Sequence, residues 1–160
     1  ARAHSFPELT QRMYNEWHIV GNHAYWHPNL VEGDIAMLER EVNQAETVLE
    51  NILGYRTKLF RAPYGFLYPE LVEKLGEMDY TVVGWSVDSL DWRELGGEDT
   101  AYTVLSNVHP GAIILLHDGG DWTSDRTSTI EALRIIIPTL LERGIEFVTV
   151  PDLLNIPYQK

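Results

Sequence analysis

Strand and helix signals alternate along this chain, and four of the strand-like segments end in a cluster of polar residues. The clusters are His23-Ala24-Tyr25-Trp26-His27, Arg61-Ala62-Pro63-Tyr64, Asp88-Ser89-Leu90-Asp91-Trp92 and Leu115-Leu116-His117-Asp118. A helical pattern follows each one. This alternation predicts an α/β fold with a mostly parallel sheet. Parallel α/β proteins build their sites at the carboxyl ends of strands. Four such ends in succession read as one site assembled from separate loops, with residue types suited to metal-assisted hydrolysis.

The pattern predicts helices over Pro7 to Glu16, Asp34 to Leu53, Pro69 to Met78, Glu98 to Val108 and Thr129 to Arg143. Ser5 is a candidate cap for the first helix, and Pro7 lies in its first turn. Asp34 caps the second and Gly54 ends it. Ser128 caps the last, Gly144 stops it, and Pro138 should kink or break it. Strands are expected at Trp17 to Asn22, Lys58 to Arg61, Tyr80 to Val87, Ala112 to Leu116 and Ile145 to Val150. A closed (β/α) barrel usually takes about 250 residues. With 160 residues and a helix first, the sheet is either open or part of a barrel is absent. The length suits one domain over residues 1–160.

Acidic residues outnumber basic ones 24 to 12, giving a formal charge of −12. That balance argues against nucleic acid or an anionic membrane as a partner, since both need a basic face. The chain has no cysteine, so disulfides and thiolate chemistry are excluded. No stretch is apolar for long enough to span a bilayer.

Each cluster has an ordinary reading beside its chemical one. His23 and His27 are good donors for a zinc-like ion, although Pro28 disfavours a helix there, and pairs at this spacing also arise by chance. Arg61 can clamp a carboxylate, and Pro63 can set the next amide toward an oxyanion; a surface arginine before a turn is the plainer account. Asp88 and Asp91 suit orienting a histidine, and equally suit turn capping. His117, at the end of an apolar run, can act as general acid or sit buried against backbone. His4, His18 and His109 carry no expected role. Trp26, Trp92 and Trp122 lie at motif loops, where aromatic platforms can meet sugar rings.

Taken together, the ordered motifs resemble the polysaccharide deacetylase family, carbohydrate esterase family four, also called the NodB homology domain. The family's segments run Thr-Phe-Asp-Asp, His-(Ser/Thr)-x-x-His, Arg-x-x-Pro-Tyr-like, Asp-x-x-Asp-Trp-like and Leu-x-His. The last four occur here in that order, from about Pro7 to Leu153. Ala24 stands where the family usually has serine or threonine. The resemblance implies a distorted (β/α) barrel of fewer than eight units, present as an N-terminally incomplete portion. It implies metal ligation by His23 and His27, usually of zinc, sometimes cobalt or another divalent ion. The Tyr64 amide would bind the oxyanion, and Arg61 would orient the catalytic base. Trp92, Leu115 and Pro63 would contact substrate, with Leu115 and Trp92 walling the acetyl methyl. His117 would be the general acid, oriented by Asp91.

The Thr-Phe-Asp-Asp motif is missing, and no Asp-Asp pair occurs anywhere in the chain. In the family it supplies the base and a third, carboxylate ligand. The expectation is that this is a fragment, with the Asp-Asp segment on a second polypeptide or elsewhere. The implied activity is removal of acetyl groups from N- or O-acetylated polysaccharide such as chitin or peptidoglycan. The resemblance places that activity outside the cytoplasm or at the cell wall. Two alternatives stay open: a glycan-binding or structural module without catalysis, and a hydrolase of a non-sugar amide such as a cyclic ureide.

Overall fold

The computed structural model describes residues 1–120 and 123–160; Trp122 therefore lies outside the described residues. These residues group into two compact units, one of residues 1–84 with 149–160 and one of residues 85–148.

In the first unit, helices α1 (Arg2–Ser5) and α2 (Pro7–Asn15) precede a long helix α3 (Ile35–Leu53). Ser5 falls inside α1, and the residue preceding α2 is Phe6, so the expected serine cap is not used. Proline at the first position of α2 costs no hydrogen bond, because that amide lies outside the helical ladder. α3 is bounded as its ends dictate. Asp34 accepts from the Met37 amide at 2.7 Å, and Gly54 closes the helix at φ 79°, a conformation that a side chain would strain. The apolar spacing of α3 turns Leu38, Val42 and Ala45 inward. Leu38 and Val42 meet Phe60 on strand β1 (Leu59–Phe60) and Leu71 and Leu75 on helix α4 (Pro69–Glu77). β1 pairs in parallel with β2 (Thr81–Val82), Leu59 opposite Thr81. The short helix α7 (Val150–Leu154) completes the unit.

The expected strand at Trp17 to Asn22 is reduced to one residue: Asn22 alone bridges Phe60 in parallel. Thr57 Oγ1 reaches the Val20 carbonyl at 3.0 Å, so the segment is tethered by a side chain rather than by a ladder.

In the second unit, β3 (Val87–Asp88) pairs in parallel with β4 (Ile114–Leu115), and helices α5 (Gly97–Asn107) and α6 (Thr127–Glu142) pack together. Their contact buries Ala101, Val104, Ala132, Ile136 and Leu140. The approach is close: a Cβ at Gly97 would lie 2.6 Å from Glu131 Cβ, so glycine is required there. α6 begins at Thr127, earlier than expected, and Arg126 precedes it in place of a Ser128 cap. The helix continues past Pro138.

The run Tyr80 to Val87 is not one strand. It divides into β2 and β3, which have different partners, and residues 83–86 join no strand. Ile145 to Val150 forms no strand either. Residues 145–149 pair with no described strand, and Val150 opens α7 behind Thr149, whose hydroxyl accepts from the Asp152 amide at 3.4 Å. Apolar, β-branched sequence needs a neighbouring backbone to become a strand, and a competing helix cap takes the end of this one.

Candidate functional site

Asn22 ends its segment in register with β1. Its amide donates to the Leu59 carbonyl at 2.8 Å, and its own carbonyl accepts from the Arg61 amide at 2.9 Å. This pairing delivers the histidine loop and the arginine segment side by side. Beyond Asn22 the backbone turns sharply, with Ala24 at φ 61° and His27 at φ 60°. The His23 and His27 rings lie 4.9 Å apart at 73°, and His27 stands edge-on to Tyr64 at 4.8 Å. His23 Nδ1 is 2.6 Å from the Arg61 carbonyl. A carbonyl only accepts, so Nδ1 carries the proton and Nε2 carries the lone pair.

Pro63, Tyr64 and Gly65 form a single 3₁₀ turn, closed by the Gly65 amide on the Ala62 carbonyl at 3.0 Å. Tyr64 sits at φ 58°, left-handed and costly for a residue with a Cβ. Leu90 at φ 59° does the same in the third motif. Left-handed non-glycine residues thus occur in three of the four motif loops, and such strain gathers where a function over-determines the backbone. The Arg61 guanidinium reaches the carbonyls of Val83 at 3.5 Å and Gly84 at 3.4 Å, and burial pulls its pKa below the usual arginine value.

A buried network stands behind the loop. Asn22 Nδ2 donates to the Val42 carbonyl at 3.0 Å and to Tyr80 Oη at 2.9 Å. Tyr80 Oη donates to Glu46 Oε2 at 2.7 Å, which also accepts from Lys160 at 2.5 Å, while Arg56 Nε donates to Oε1 at 3.0 Å. Burial raises the Glu46 pKa, but the bonds from Lys160, Tyr80 and Arg56 outweigh it and hold the carboxyl below its usual range. Tyr80→Phe removes the hydroxyl that links Asn22 to Glu46. It should cost about 1–3 kcal/mol, read as a lower urea midpoint. An unchanged midpoint would show that the network adds nothing to stability.

In the second unit, Asp91 is fully buried. His117 Nδ1 lies 2.7 Å from Asp91 Oδ1, the His117 amide donates to Oδ2 at 2.7 Å, and Thr129 Oγ1 donates to Oδ2 at 2.9 Å. Burial pushes this carboxyl up, but the bonds from His117 and Thr129 overcome it and bring the pKa down to about 2. Asp91 is therefore an ionised acceptor that holds Nδ1 as the protonated nitrogen and turns Nε2 of His117 outward. The His117 side chain is 32% exposed, enough for contact with a substrate.

Of the expected aspartate pair, only Asp91 serves this role. Asp88 caps a turn instead, accepting from the Leu90 amide at 2.9 Å. Leu115 is buried at the end of β4 and Trp92 is half exposed, 52%. His109 sits in a turn, its carbonyl accepting from the Ala112 amide at 3.0 Å. The sequence gives no local sign of Thr129, which lies 38 residues beyond its partner, or of Arg126, whose Nη1 approaches the Asp91 carbonyl at 3.4 Å.

The two imidazoles fit a divalent ion as two of its ligands. The hydrogen bond from His23 Nδ1 to a carbonyl is the arrangement that orients metal-binding histidines. Among the described residues, no group of three His, Cys, Asp or Glu side chains converges as a ligand set.

The order of these motifs along the chain resembles that of one family, and comparison with known proteins agrees. The polysaccharide deacetylase family model matches residues 1–83. The chain belongs to the polysaccharide deacetylase family. It is 35% identical over 155 residues to a peptidoglycan-N-acetylglucosamine deacetylase of Bacillus cereus, covering 96% of this chain and 55% of that protein. It is 33% identical to a chitooligosaccharide deacetylase of Azorhizobium caulinodans, covering 93% of this chain and 75% of that one. The chain thus spans about half the length of the first relative and three quarters of the second. Its fold matches a crystal structure of a peptidoglycan N-acetylglucosamine deacetylase in complex with 4-naphthalen-1-yl-N-oxidanyl-benzamide. The TM-score is 0.93 at 32% identity, over 99% of this chain and 73% of the other. The expected fold class, the family's distorted (β/α) barrel of fewer than eight units, holds.

Proposed function

We propose that this chain takes part in the hydrolytic removal of acetyl groups from an acetylated polysaccharide, peptidoglycan or a chitin-like glycan, with residues 1–160 supplying the last four motifs of one deacetylase domain and the Asp-Asp base coming from outside these residues. The observation that carries the reading is the His117–Asp91 pair, a histidine held by a buried ionised carboxylate at a strand end. Family membership and the relatives' names support the substrate class. They also support action at the cell wall. No helix among the described residues is long and apolar enough to cross a membrane.

His23 and His27 would hold a divalent ion, zinc or cobalt, whose chemistry is Lewis-acid polarisation of the acetyl carbonyl. Water adds to the acetyl carbon, its proton passing to a carboxylate base that the family carries in its Thr-Phe-Asp-Asp motif. Arg61 would orient that base. The Tyr64 amide donates to the oxyanion as it forms. The bond from the acetyl carbon to nitrogen then breaks, and His117 Nε2–H gives its proton to the leaving amine. Asp91 steadies the imidazolium through Nδ1–H. Acetate and a free amino sugar leave. Leu115, Trp92 and Pro63 would line the acetyl and sugar contacts.

Acetate release from N-acetylated chitooligosaccharide and from peptidoglycan by protein supplied with the Asp-Asp segment, with and without added zinc, tests the reading. Release should require the metal and should fall to background in His23→Ala and His27→Ala, which should also lose bound zinc. Glycan binding without acetate release would instead favour a non-catalytic glycan-binding module. The absence of a three-residue ligand group among the described residues is the observation that keeps this second reading open.

A further inference from the structure

The loop between His23 and His27 has to hold two imidazoles in one relative orientation, yet Ala24 offers no hydroxyl to tie it down. The tie comes from outside the loop. Glu41, half-buried on α3, accepts through Oε2 from the Tyr25 amide at 3.0 Å and the Trp26 amide at 2.7 Å. Asn22 Oδ1 accepts from the Ala24 amide at 3.0 Å. Three consecutive amides, those of residues 24 to 26, are therefore engaged by side-chain oxygens. Successive amides turned to one side form an anion-binding concavity, and here the anion is a carboxylate of the same chain. Bonds to an ionised acceptor are roughly twice as strong as neutral ones. The left-handed residues Ala24 and His27 bracket the clamped amides. Such backbone persists only where its surroundings impose it.

We propose that Glu41 is a positioning residue for the His23–His27 pair, its carboxylate clamping the intervening loop so that both imidazoles keep one arrangement toward a divalent ion. This rests on the reading of the pair as metal ligands. Glu41 touches no reacting atom. It acts through the backbone of residues 25 and 26, and through it on the ring that donates from Nδ1 to the Arg61 carbonyl. Its place on α3 joins the loop to the unit's core, since the next residue, Val42, is fully buried and accepts from Asn22.

The test compares wild type, Glu41→Ala and Glu41→Gln by two readouts. One is zinc and cobalt affinity by direct titration. The other is the ¹⁵N spectrum of the imidazoles in metal-free protein, which reports the His23 tautomer. Glu41→Ala should weaken metal binding roughly 10–100-fold, the range for groups that orient ligands. It should also replace the single Nδ1–H tautomer of His23 by an averaged signal. Glu41→Gln keeps one oxygen toward the amides without the charge, so it should recover most of the tautomer signal and lose only about fivefold in affinity. Wild-type affinity and tautomer in a folded Glu41→Ala would overturn the proposal. If Glu41→Ala does not fold, wild-type values in Glu41→Gln would assign Glu41 to folding alone. If wild type binds neither zinc nor cobalt, the metal reading fails, and the tautomer comparison still decides whether Glu41 positions the histidine.

Discussion

Replacing His117 with alanine, in protein supplied with the Asp-Asp segment, is expected to lower acetate release by roughly 10²–10⁴-fold, the usual contribution of a positioned general acid or base. The histidine pair lies on other segments of the chain, so zinc affinity should stay at the wild-type value. The fold should survive. Asp91 loses the bond to Nδ1 but keeps those from the residue 117 amide and from Thr129, both on Oδ2. The loss should fall on kcat rather than on KM, because the proton is needed as the amine leaves. Measured acetate release with zinc saturating would settle the matter. Turnover equal to wild type would remove His117 from the chemistry and leave the pair with Asp91 as a structural contact.

The second large effect is on stability in acid. The Asp91 carboxyl has a pKa of about 2 in the folded protein, against an ordinary value of 3.8. A folded-state value below the unfolded one means that the unfolded chain takes up the proton first. The stabilisation is thus complete above about pH 5 and drains away as pH falls through 3.8 toward 2. The gap corresponds to about 2 kcal/mol. Urea midpoints measured between pH 6 and pH 2.5 should therefore fall more steeply for wild type than for Asp91→Asn, which has no carboxylate to titrate. The asparagine variant should also begin lower at neutral pH, by about 1–3 kcal/mol, since the NH2 that replaces one carboxylate oxygen cannot accept, which leaves either His117 Nδ1 or the two donors on Oδ2 without an acceptor. A difference between the two proteins that does not change with pH would refute the assignment of Asp91 as a strongly held carboxylate.

Residues that act through their own neighbours were legible in the sequence. Asp34 and Gly54 bound α3 because a side-chain acceptor and a left-handed glycine are local requirements of a helix end. The motif loops were legible because each follows an apolar segment and carries chemistry-bearing side chains in a fixed order. The family and its fold class followed from that order. Strands were the weak point. Tyr80 to Val87 looks continuous and Ile145 to Val150 reads as the last strand, yet the first is split between two partners and the second pairs with no described strand. A helix closes its hydrogen bonds within its own segment, whereas a strand closes them on another chain segment.

The ambiguous aspartates show the same division inside the site. Asp88 and Asp91 stand three residues apart with equal claims in the residues alone, and only the family resemblance favoured Asp91. One turns back onto the Leu90 amide, and the other is buried against His117 and Thr129. Glu41 and Glu46, one helical turn and more apart on α3, diverge likewise: one clamps the histidine loop and the other anchors the Asn22 and Tyr80 network.

By itself, then, the sequence determined the α/β class, the family, the ends of α3, and the identity of the histidines and the arginine at the strand ends, all of which rest on short-range chemistry and on order along the chain. Only the tertiary structure decided that Asp88 caps a turn while Asp91 is buried against His117, that Thr129 completes that environment, and that Glu41 bonds the loop carrying His23 and His27. The contacts of Asp91 and Glu41 join residues 15 to 38 positions apart, and the hydrogen-bond geometry that selects one carboxylate over another exists only once the separate segments have packed.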